Sequence, residues 1–576
     1  MPRHDSQQAV LRIVVVSALA VVVGSAASLA AIGFVEALHW LNDQLLVSPY
    51  ARIQRADQPT LVMLATVLVP TLGGLVVGLV VHRLVRERRG LAPPDAILAV
   101  QTRRPPPDFR SGLASTLAAL LSLGAGASVG QYGPLVYLGS MFGALAGRLC
   151  LPVRNLRAIA IGCGVSAAIA TAFNAPIAGL VFAHEVILRH YSLRAFAPVT
   201  VAAAVGYVVA NVFLHRPPLF QVSFAGVAHS YEFVLFALEG VLCAGLAVVF
   251  VQLIQGSARL ASRLPVPAWG RPALVGLGLG LVALWLPEVL GIGQETLRFA
   301  TIEGAFGRTE LALIVLAKLL VTALCLGFGF VGGVFSPALL IGILAGALYG
   351  LLLPELLPIP LSGQVVYAVC GMMALASSVI GAPLSTILIV FELTRSYDLT
   401  IAAMVAVVFA NLVSYRVMGR SLFDLQLRQR HFDLSQGRDK AILGTHAVAD
   451  YRVDDCILAR PEETVADVQQ RLGEGKRAEA MLVDEQRRYL GTLHLADLLT
   501  EPAAQPVAGL ASPPALVFDE RTSVWESMEQ LPGFIGEAVP LLADDGRLLG
   551  VVPEEAVIRA YLEIIHDLRQ EENEAA

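Results

Sequence analysis

Long apolar stretches recur along this chain from about Val10 to Met418. Each approaches the ~20 residues that an α-helix needs to cross a bilayer core. The stretches lack the strict alternation of membrane barrel strands, so helices are the expected spanning elements. Beyond about residue 430 charged residues become frequent. The pattern predicts an all-α polytopic membrane region over residues 1–430, a linker over 431–446, and a soluble tail.

Two glycine-led breaks interrupt the apolar pattern 203 residues apart, at Gly130–Pro134 and Gly333–Pro337. Glycines follow both prolines at the same offsets and give each following helix a stripe of small residues: Gly139, Gly143 and Gly147, then Gly342, Gly346 and Gly350. Paired interruptions in matching halves of a membrane protein indicate a transporter binding site.

A second pair of motifs extends the repeat. Ala175-Pro176 is followed by Glu185, and Ala382-Pro383 is followed by Glu392 at the same offset. The two halves therefore cover about residues 10–215 and 230–420. Placing a carboxylate in an apolar membrane helix costs free energy, so such a residue is expected to be functional or to be held by close partners. We favour a structural role, in which each glutamate reaches backbone amides or an arginine. For Lys318 we expect a buried ion pair or a water-facing position.

The glycine-led breaks have a chemical use at a helix start. The first four amides of a helix lack partners within it, and the helix dipole makes that end positive. Such helix ends bind an anion without a full positive charge. The bound anion can therefore dissociate rapidly. Glycine lets the backbone approach the ion, and proline suits a first helical turn. The alternative is that these glycines only permit helix packing.

Composition narrows the class of protein. The chain is 56% hydrophobic and 15% charged, with mean hydropathy +0.68, which is too apolar for a soluble enzyme. No nucleophile–base pair, metal-ligand spacing or basic stripe stands out, so we expect no enzyme, metal, cofactor or nucleic-acid partner. An arginine cluster after the second apolar stretch predicts cytoplasmic termini by the positive-inside rule: Arg83, Arg86, Arg88, Arg89, Arg103, Arg104 and Arg110.

Taken together, these motifs resemble the CLC family of chloride channels and chloride/proton antiporters over roughly residues 10–430. Gly90–Pro94 is similar to a degraded GSGIP motif, Gly130–Pro134 to GREGP, and Gly332–Pro337 to GGxFxP. Phe173–Gly179 is also close to the family pattern. The resemblance implies two inverted halves of tilted, broken helices, one pore per subunit, and a homodimer.

The resemblance also implies an anion site made from these motifs. Its residues are Gly90, Leu91, Ala92, Gly130, Gln131, Tyr132, Gly133, Gly333, Val334, Phe335, Ser336 and Phe423.

Four positions depart from the family's coupled members. Tyr132 stands at the gate position where they have a proton-carrying glutamate, and Val186 stands at their inner relay glutamate. Leu91 and Phe423 replace a serine and a tyrosine whose hydroxyls face the central anion. Phenol titrates near ~10, so we expect proton coupling to be lost. The central site then keeps backbone amides, chiefly those of Val334 and Phe335.

Two roles stay open for Tyr132. It swings inward as a hydrogen-bond donor to the anion, or it packs on Phe335 and Phe423 as a fixed aromatic plug. His184 titrates near neutral pH and is the candidate for a substitute proton relay, although a packing role is favoured by its place beside Glu185.

The tail repeats a strand–turn–strand–helix unit and is similar to a pair of cystathionine-β-synthase (CBS) domains over residues 447–568. Asp497 matches the ribose-binding aspartate of nucleotide-binding versions, but Ala556 occupies the second copy. A dimer-stabilising cap is therefore favoured over nucleotide binding. We expect an acidic disordered end over residues 569–576.

The sequence therefore predicts passive, proton-uncoupled transport of chloride or a similar small anion by a homodimer in the lipid of the cytoplasmic membrane. One alternative is an exchanger or transporter selective for another small anion, such as bicarbonate or nitrate. The other is an anion-sensing membrane protein that signals through its CBS tail.

Overall fold

The computed structural model describes residues 3–102, 108–149, 156–213, 226–419, 421–430, 432–434 and 437–573. The chain divides into two compact units, Met1–Leu427 and Arg428–Ala576. This division falls close to the predicted border at residue 430. Arg103 and Arg104 of the arginine cluster lie outside the described residues.

Helices make up the first unit, and eight helical segments of its described residues are long and apolar enough to cross a membrane. Shorter apolar helices lie between them. The helices are α1 (Arg3–Gln44), α2 (Pro49–Gln54), α3 (Pro59–Leu84), α4 (Pro93–Gln101), α5 (Phe109–Gly124), α6 (Tyr132–Ala146), α7 (Leu156–Phe173), α8 (Pro176–Phe182), α9 (Leu193–Val208), α10 (Glu232–Arg263), α11 (Arg271–Ala283), α12 (Gln294–Phe299), α13 (Arg308–Gly327), α14 (Phe335–Leu356), α15 (Gln364–Ile380), α16 (Pro383–Thr394), α17 (Tyr397–Met418) and α18 (Leu422–Arg428).

The internal repeat is visible in the order of these helices. In the first half the glycine-led helix α6 packs on α7, the Ala-Pro helix α8 follows, and α9 packs on α7 and α8. In the second half α14, α15, α16 and α17 repeat this order and these contacts. The small residues of α6 and α14 allow the close packing: a Cβ at Gly143 would stand 2.2 Å from the Ala160 carbonyl oxygen. The stripes after the prolines therefore serve packing.

The two repeats cap each other's helices through the paired glutamates. Glu392 accepts hydrogen bonds from the amides of Ile177 and Ala178 at 2.9 and 2.7 Å, at the start of α8. Glu185 accepts from the amides of Leu384 and Ser385 at 3.0 and 2.9 Å, at the start of α16. Both carboxylates therefore have the structural role that the sequence favoured.

Lys318 differs from the prediction, which was a buried ion pair or a water-facing position. Its partners are backbone carbonyl oxygens. It is fully buried in α13. Its ammonium group donates to the carbonyl oxygens of Val289 and Gly291 at 2.9 and 2.8 Å, and to that of Glu288 at 3.5 Å. Backbone carbonyls thus take the place that we assigned to a carboxylate, so Lys318 fastens the segment between α11 and α12 to α13.

Replacing Glu392 with alanine is expected to destabilise the membrane unit by about 1 kcal/mol, because two amides at a helix start lose their acceptor. The measurement is the melting temperature in detergent. Glu355→Ala is the matched control, since this exposed glutamate of α14 pairs with exposed Arg308, and such pairs contribute little. An equal loss of Tm in both variants contradicts the capping role.

The second unit contains two copies of one small α/β motif. Each copy is a three-stranded sheet in which the first strand runs parallel to the second and the second antiparallel to the third. The strands are β1 (Leu458–Ala459), β2 (Glu479–Val483) and β3 (Tyr489–His494), then β4 (Phe518–Asp519), β5 (Ala538–Leu542) and β6 (Leu548–Pro553).

The helices of the tail also repeat. They are α19 (Arg438–Leu443), α20 (Val465–Gly475), α21 (Leu495–Leu498), α22 (Val524–Gln530) and α23 (Glu554–Asn573). Helices α20 and α22 start with the same capping box, Thr464 with Asp467 and Ser523 with Glu526, which satisfies orphan amides at each start. The strand–turn–strand–helix prediction is confirmed.

Two boundaries of the tail differ from the prediction. Helix α19 lies inside the segment 431–446 that we expected to be a linker, and the buried residues Ile442 and Leu443 pack against α22 and α23. Helix α23 continues to Asn573, where we expected disorder from residue 569. Residues 574–576 lie outside the described part of the chain. Ile564, Ile565 and Leu568 of this helix are buried, so its packed part ends where we expected disorder to begin.

Candidate functional site

A backbone bridge joins the two glycine-led motifs at the start of α6 and α14. The Gly130 amide donates to the Gly333 carbonyl oxygen at 2.7 Å, and the Gly333 amide donates back to Gly130 at 2.6 Å. Glycine is needed for this approach. A Cβ at Gly130 would stand 2.8 Å from the Gly333 oxygen, and one at Gly133 would stand 2.8 Å from the Gly333 Cα. Residues distant in sequence thereby form one site.

Two helix starts therefore lie side by side at this bridge. The Gln131 amide donates to the Ser336 hydroxyl across the junction at 3.2 Å. Other amides at the two starts make no hydrogen bond to another described residue: those of Tyr132, Gly133, Val334, Phe335 and Ser336. Because the positive ends of two helix dipoles coincide with these open donors, the arrangement suits a small anion.

The first motif is arranged differently from what we expected. The Leu91 amide donates to the Ser115 hydroxyl at 2.8 Å, and the Ala92 amide donates to the Asp95 carboxylate at 2.9 Å. Asp95 also pairs with Arg89 at 2.7 Å. Both amides that we assigned to the anion are thus bonded inside the protein, with a carboxylate beside the start of α4.

The side chains of the first motif pack rather than open to a cavity. Leu91 lies in a buried cluster with Val85, Ala114, Tyr137 and Met141. A Cβ at Gly90 would stand 2.9 Å from the Val331 side chain, so the motif rests on the segment that leads to Gly333. Sequence reasoning missed Ser115, because this residue lies on α5 and reaches Leu91 only in the fold.

Three buried aromatic rings lie at the bridge, and we call Tyr132, Phe173 and Phe335 the aromatic cluster. Tyr132 stacks on Phe173 with ring centroids 4.0 Å apart and meets Phe335 at 5.5 Å. Phe173 meets Phe335 at 5.3 Å. The predicted contact of Tyr132 with Phe335 is present. Phe423 is buried in α18. The second ring that contacts Tyr132 is Phe173, where we expected Phe423.

The relay position lies in a short π-helix, Ala183–Leu188, that continues α8. Val186 is buried, and its carbonyl oxygen accepts from Arg189, whose guanidinium pairs with Asp424 of α18 at 3.0 Å. His184 is buried, bonds through Nδ1 to the His190 carbonyl oxygen at 2.8 Å and stacks on Tyr191. These contacts match the packing role that we favoured for His184.

The remaining predicted site residue lies in the tail. Asp497 is exposed on α21, and its carbonyl oxygen accepts from the Thr500 amide at 3.2 Å. Its carboxylate is therefore placed where a ligand could reach it. No group of three or more histidine, cysteine or acidic side chains that could hold a metal ion occurs among the described residues.

Repeated apolar helices around two joined, amide-lined helix starts define a membrane protein built to handle small anions. The family model described as "Voltage gated chloride channel" matches residues 73–415, and a CBS domain model matches residues 507–563. The chain therefore belongs to the CLC family of anion-transport proteins. This family consists of transporters and channels, transports chloride, and is typically dimeric.

Curated relatives support the membership. The chain is 31% identical over 428 residues to a protein of Ralstonia nicotianae described as a ClcB-like chloride channel protein, covering 72% of this chain and 97% of the relative. It is 30% identical over 417 residues to the chloride channel protein CLC-f of Arabidopsis thaliana, covering 67% of this chain and 52% of the relative. The chain thus spans about half of the plant protein.

Solved structures agree with the fold. A slow cyanobacterial Cl⁻/H⁺ antiporter matches with TM-score 0.64 and 25% identity, over 72% of this chain and 97% of that one. A eukaryotic CLC transporter matches with TM-score 0.65 and 20% identity, over 95% of this chain and 98% of that one. The second match shows that the fold, tail included, is that of a CLC protein.

Proposed function

We propose that this chain conducts chloride or a similar small anion passively, without exchanging protons, through a pore in each subunit of a homodimer. The bridge between Gly130 and Gly333 carries the proposal, because it turns two helix starts into one site of open amides. Amide dipoles attract an anion without the tight hold of a lysine. The one buried lysine among the described residues, Lys318, is occupied by carbonyl oxygens.

The absence of proton exchange follows from two side chains. The family's coupled members, by the resemblance above, carry protons on glutamates at the positions of Tyr132 and Val186. Valine has no titratable group, and phenol holds its proton well above neutral pH. His184, the remaining candidate, lies against Tyr191 and the His190 carbonyl oxygen. The match to a Cl⁻/H⁺ antiporter therefore fits the shared fold, while these substitutions argue against shared coupling.

Tyr132 occupies the outer gate position in this proposal. Its ring stacks on Phe173 and meets Phe335, so the aromatic cluster closes the space beside the open amides. Between the two roles left open above, these contacts favour the plug for the conformation described. The arginines that follow the second apolar stretch support a cytoplasmic-membrane protein with both termini in the cytoplasm.

Reconstituted protein should release chloride from liposomes without moving protons, because neither Tyr132 nor Val186 exchanges them. The experiment follows chloride efflux and the pH of a weakly buffered medium together, under an imposed chloride gradient. Proton movement against its own gradient, driven by chloride, contradicts the proposal. Protein-free liposomes and a proton ionophore set the lower and upper limits of the pH signal.

A second candidate is an exchanger or transporter selective for another small anion, such as bicarbonate or nitrate. The observation that favours it is the first motif, in which Ser115 and Asp95 take the amides of Leu91 and Ala92. A site with fewer amide hydrogen-bond donors is expected to have a different preference among small anions. The same liposomes separate the candidates: nitrate or bicarbonate flux without chloride flux supports selectivity, and no anion flux at all supports a sensor that signals through the CBS tail.

A further inference from the structure

A buried carboxyl group in α10 has no role in the function proposed above. Glu232, Phe236, Glu239 and Cys243 form a buried stripe on this helix, at the spacing that places side chains on one face. Glu239 is 1% exposed, and neither of its carboxyl oxygens has a hydrogen-bond partner among the described residues. The Gly371 amide of α15 lies beside the carboxyl group but does not meet the geometry of a hydrogen bond to it.

Two glycines shape the space around this carboxyl group. A Cβ built at Gly346 of α14 or at Gly371 of α15 would stand 2.8 Å from Glu239 Oε1. The same Cβ at Gly371 would stand 2.7 Å from the Gly342 carbonyl oxygen. Helices α14 and α15 thus cross at a notch that admits the carboxyl group of Glu239 and no further side chain.

The surroundings favour a neutral carboxylic acid. The titratable side chains around Glu239 are Cys243 of its own helix, Tyr349 of α14, and Tyr367 and Cys370 of α15. None of these groups is basic. On the other helices that pack on α10, Lys318 of α13 donates to backbone carbonyl oxygens, and Arg308 of α13 and Arg416 of α17 are exposed. A buried carboxylate without a partner is strongly unfavourable, so the packing shown is that of the protonated form.

Two separate sets of hydrogen bonds, one at Glu232 and one at Leu235, lie along α10 before Glu239. The Glu232 carboxylate accepts from the Ser362 hydroxyl at 2.6 Å and the Tyr367 hydroxyl at 2.8 Å. The Tyr367 ring meets the Tyr349 ring at 5.7 Å, and the Tyr349 hydroxyl donates to the Leu235 carbonyl oxygen at 3.1 Å. Leu235 lies one helical turn before Glu239, and these hydrogen bonds end there without reaching the Glu239 carboxyl group.

The same notch is connected to the anion site through α14. This helix carries Gly346 in its middle and Phe335 of the aromatic cluster at its start. An ionised Glu239 must recruit water or withdraw from the notch, and either change alters the contact of its carboxyl group with Gly346 of α14.

We propose that Glu239 is a proton-binding site of the membrane unit, and that loss of its proton at alkaline pH loosens α14 and raises anion flux. The flux part rests on the function proposed above, whereas the proton site itself does not. The ligand is the proton alone, bound and released at Glu239 without being carried through the pore.

The test uses two independent measurements on the full chain. Infrared difference spectroscopy during an alkaline titration should show loss of a protonated-carboxyl C=O band that is missing in Glu239→Gln. Anion efflux from liposomes should rise with pH by about fivefold or more in the wild type, the scale of a typical coupling between sites. In Glu239→Gln the efflux should stay at its acidic value, because the amide keeps the shape of the neutral acid.

Glu295→Gln is the matched control, since Glu295 is an exposed glutamate of α12 in the same unit. It should keep both the infrared band and the rise of flux. The proposal is overturned if Glu239→Gln keeps the wild-type band, or if it follows the wild-type flux at every pH. If the wild type carries no anion at any pH, the proposed function fails, while the infrared band still decides the proton site.

Discussion

Chloride efflux through the Tyr132→Ala variant should exceed that of the wild type by roughly fivefold to a hundredfold. The Tyr132 ring stacks on Phe173 at 4.0 Å and meets Phe335 at 5.5 Å, and all three are buried. An aromatic pair contributes about 0.5–1.5 kcal/mol beyond its buried area. Passage of an anion beside the open amides requires both pairs to separate. Since ~1.4 kcal/mol is a factor of ten in rate, removing both contacts gives the expected range.

Tyr132→Phe separates the two roles of this side chain. It keeps both ring contacts and removes the hydroxyl, so wild-type flux is expected if the ring is a plug. A large loss of flux, or a change in the preference for chloride over nitrate, indicates instead that the hydroxyl donates to the anion. Tyr50→Ala serves as the control for loss of an exposed tyrosine. If Tyr132→Ala leaves flux unchanged, the aromatic cluster is not the restriction.

The parts of this protein that the sequence predicted well depend on short motifs that repeat. The Gly130 and Gly333 motifs were paired by their shared glycine–proline pattern and the glycines that follow it, and the fold brings them into backbone contact. Glu185 and Glu392 were paired in the same way, and each caps the other repeat's helix. A duplicated chain places equivalent residues about an internal symmetry, so one motif predicts the position of the other.

What the sequence did not predict depends on partners that are distant along the chain. Ser115 lies on another helix than Leu91, and no local pattern marks it as the acceptor for that amide. Phe173 belongs to the Phe173–Gly179 motif, but only the packing shows that its ring stacks on Tyr132. Lys318 required an acceptor, and the sequence could not show that backbone carbonyls supply it.

The occupied first motif changes how the anion site is best understood. With the amides of Leu91 and Ala92 bonded to Ser115 and Asp95, the open amides that the bridge brings together are those at the starts of α6 and α14. Their alignment depends on the short bridge between Gly130 and Gly333. We therefore expect the second large effect there rather than in the first motif.

Gly333→Ala should reduce anion flux at least about tenfold. The added Cβ would stand 2.7 Å from the Gly133 amide nitrogen and 3.0 Å from the Gly133 Cα. Both are backbone atoms at a helix start, so relief requires α6 and α14 to separate. Inserting a methyl group into such a close-packed contact costs about 1–3 kcal/mol. Separation also misaligns the open amides, which weakens the shared field on the anion.

Gly278→Ala is the matched control, because a Cβ at Gly278 in α11 meets no atom within 4 Å. Alanine in an open helical position should preserve flux and stabilise slightly, by about 0.5–1 kcal/mol. Efflux is compared for variants that elute as a single peak, so that misfolded protein does not count as loss of conduction. Wild-type flux and melting temperature in Gly333→Ala would show that the close approach of the two motifs is incidental. Loss of flux in a folded Gly333→Ala, with Gly278→Ala active, assigns the anion site to the bridged helix starts.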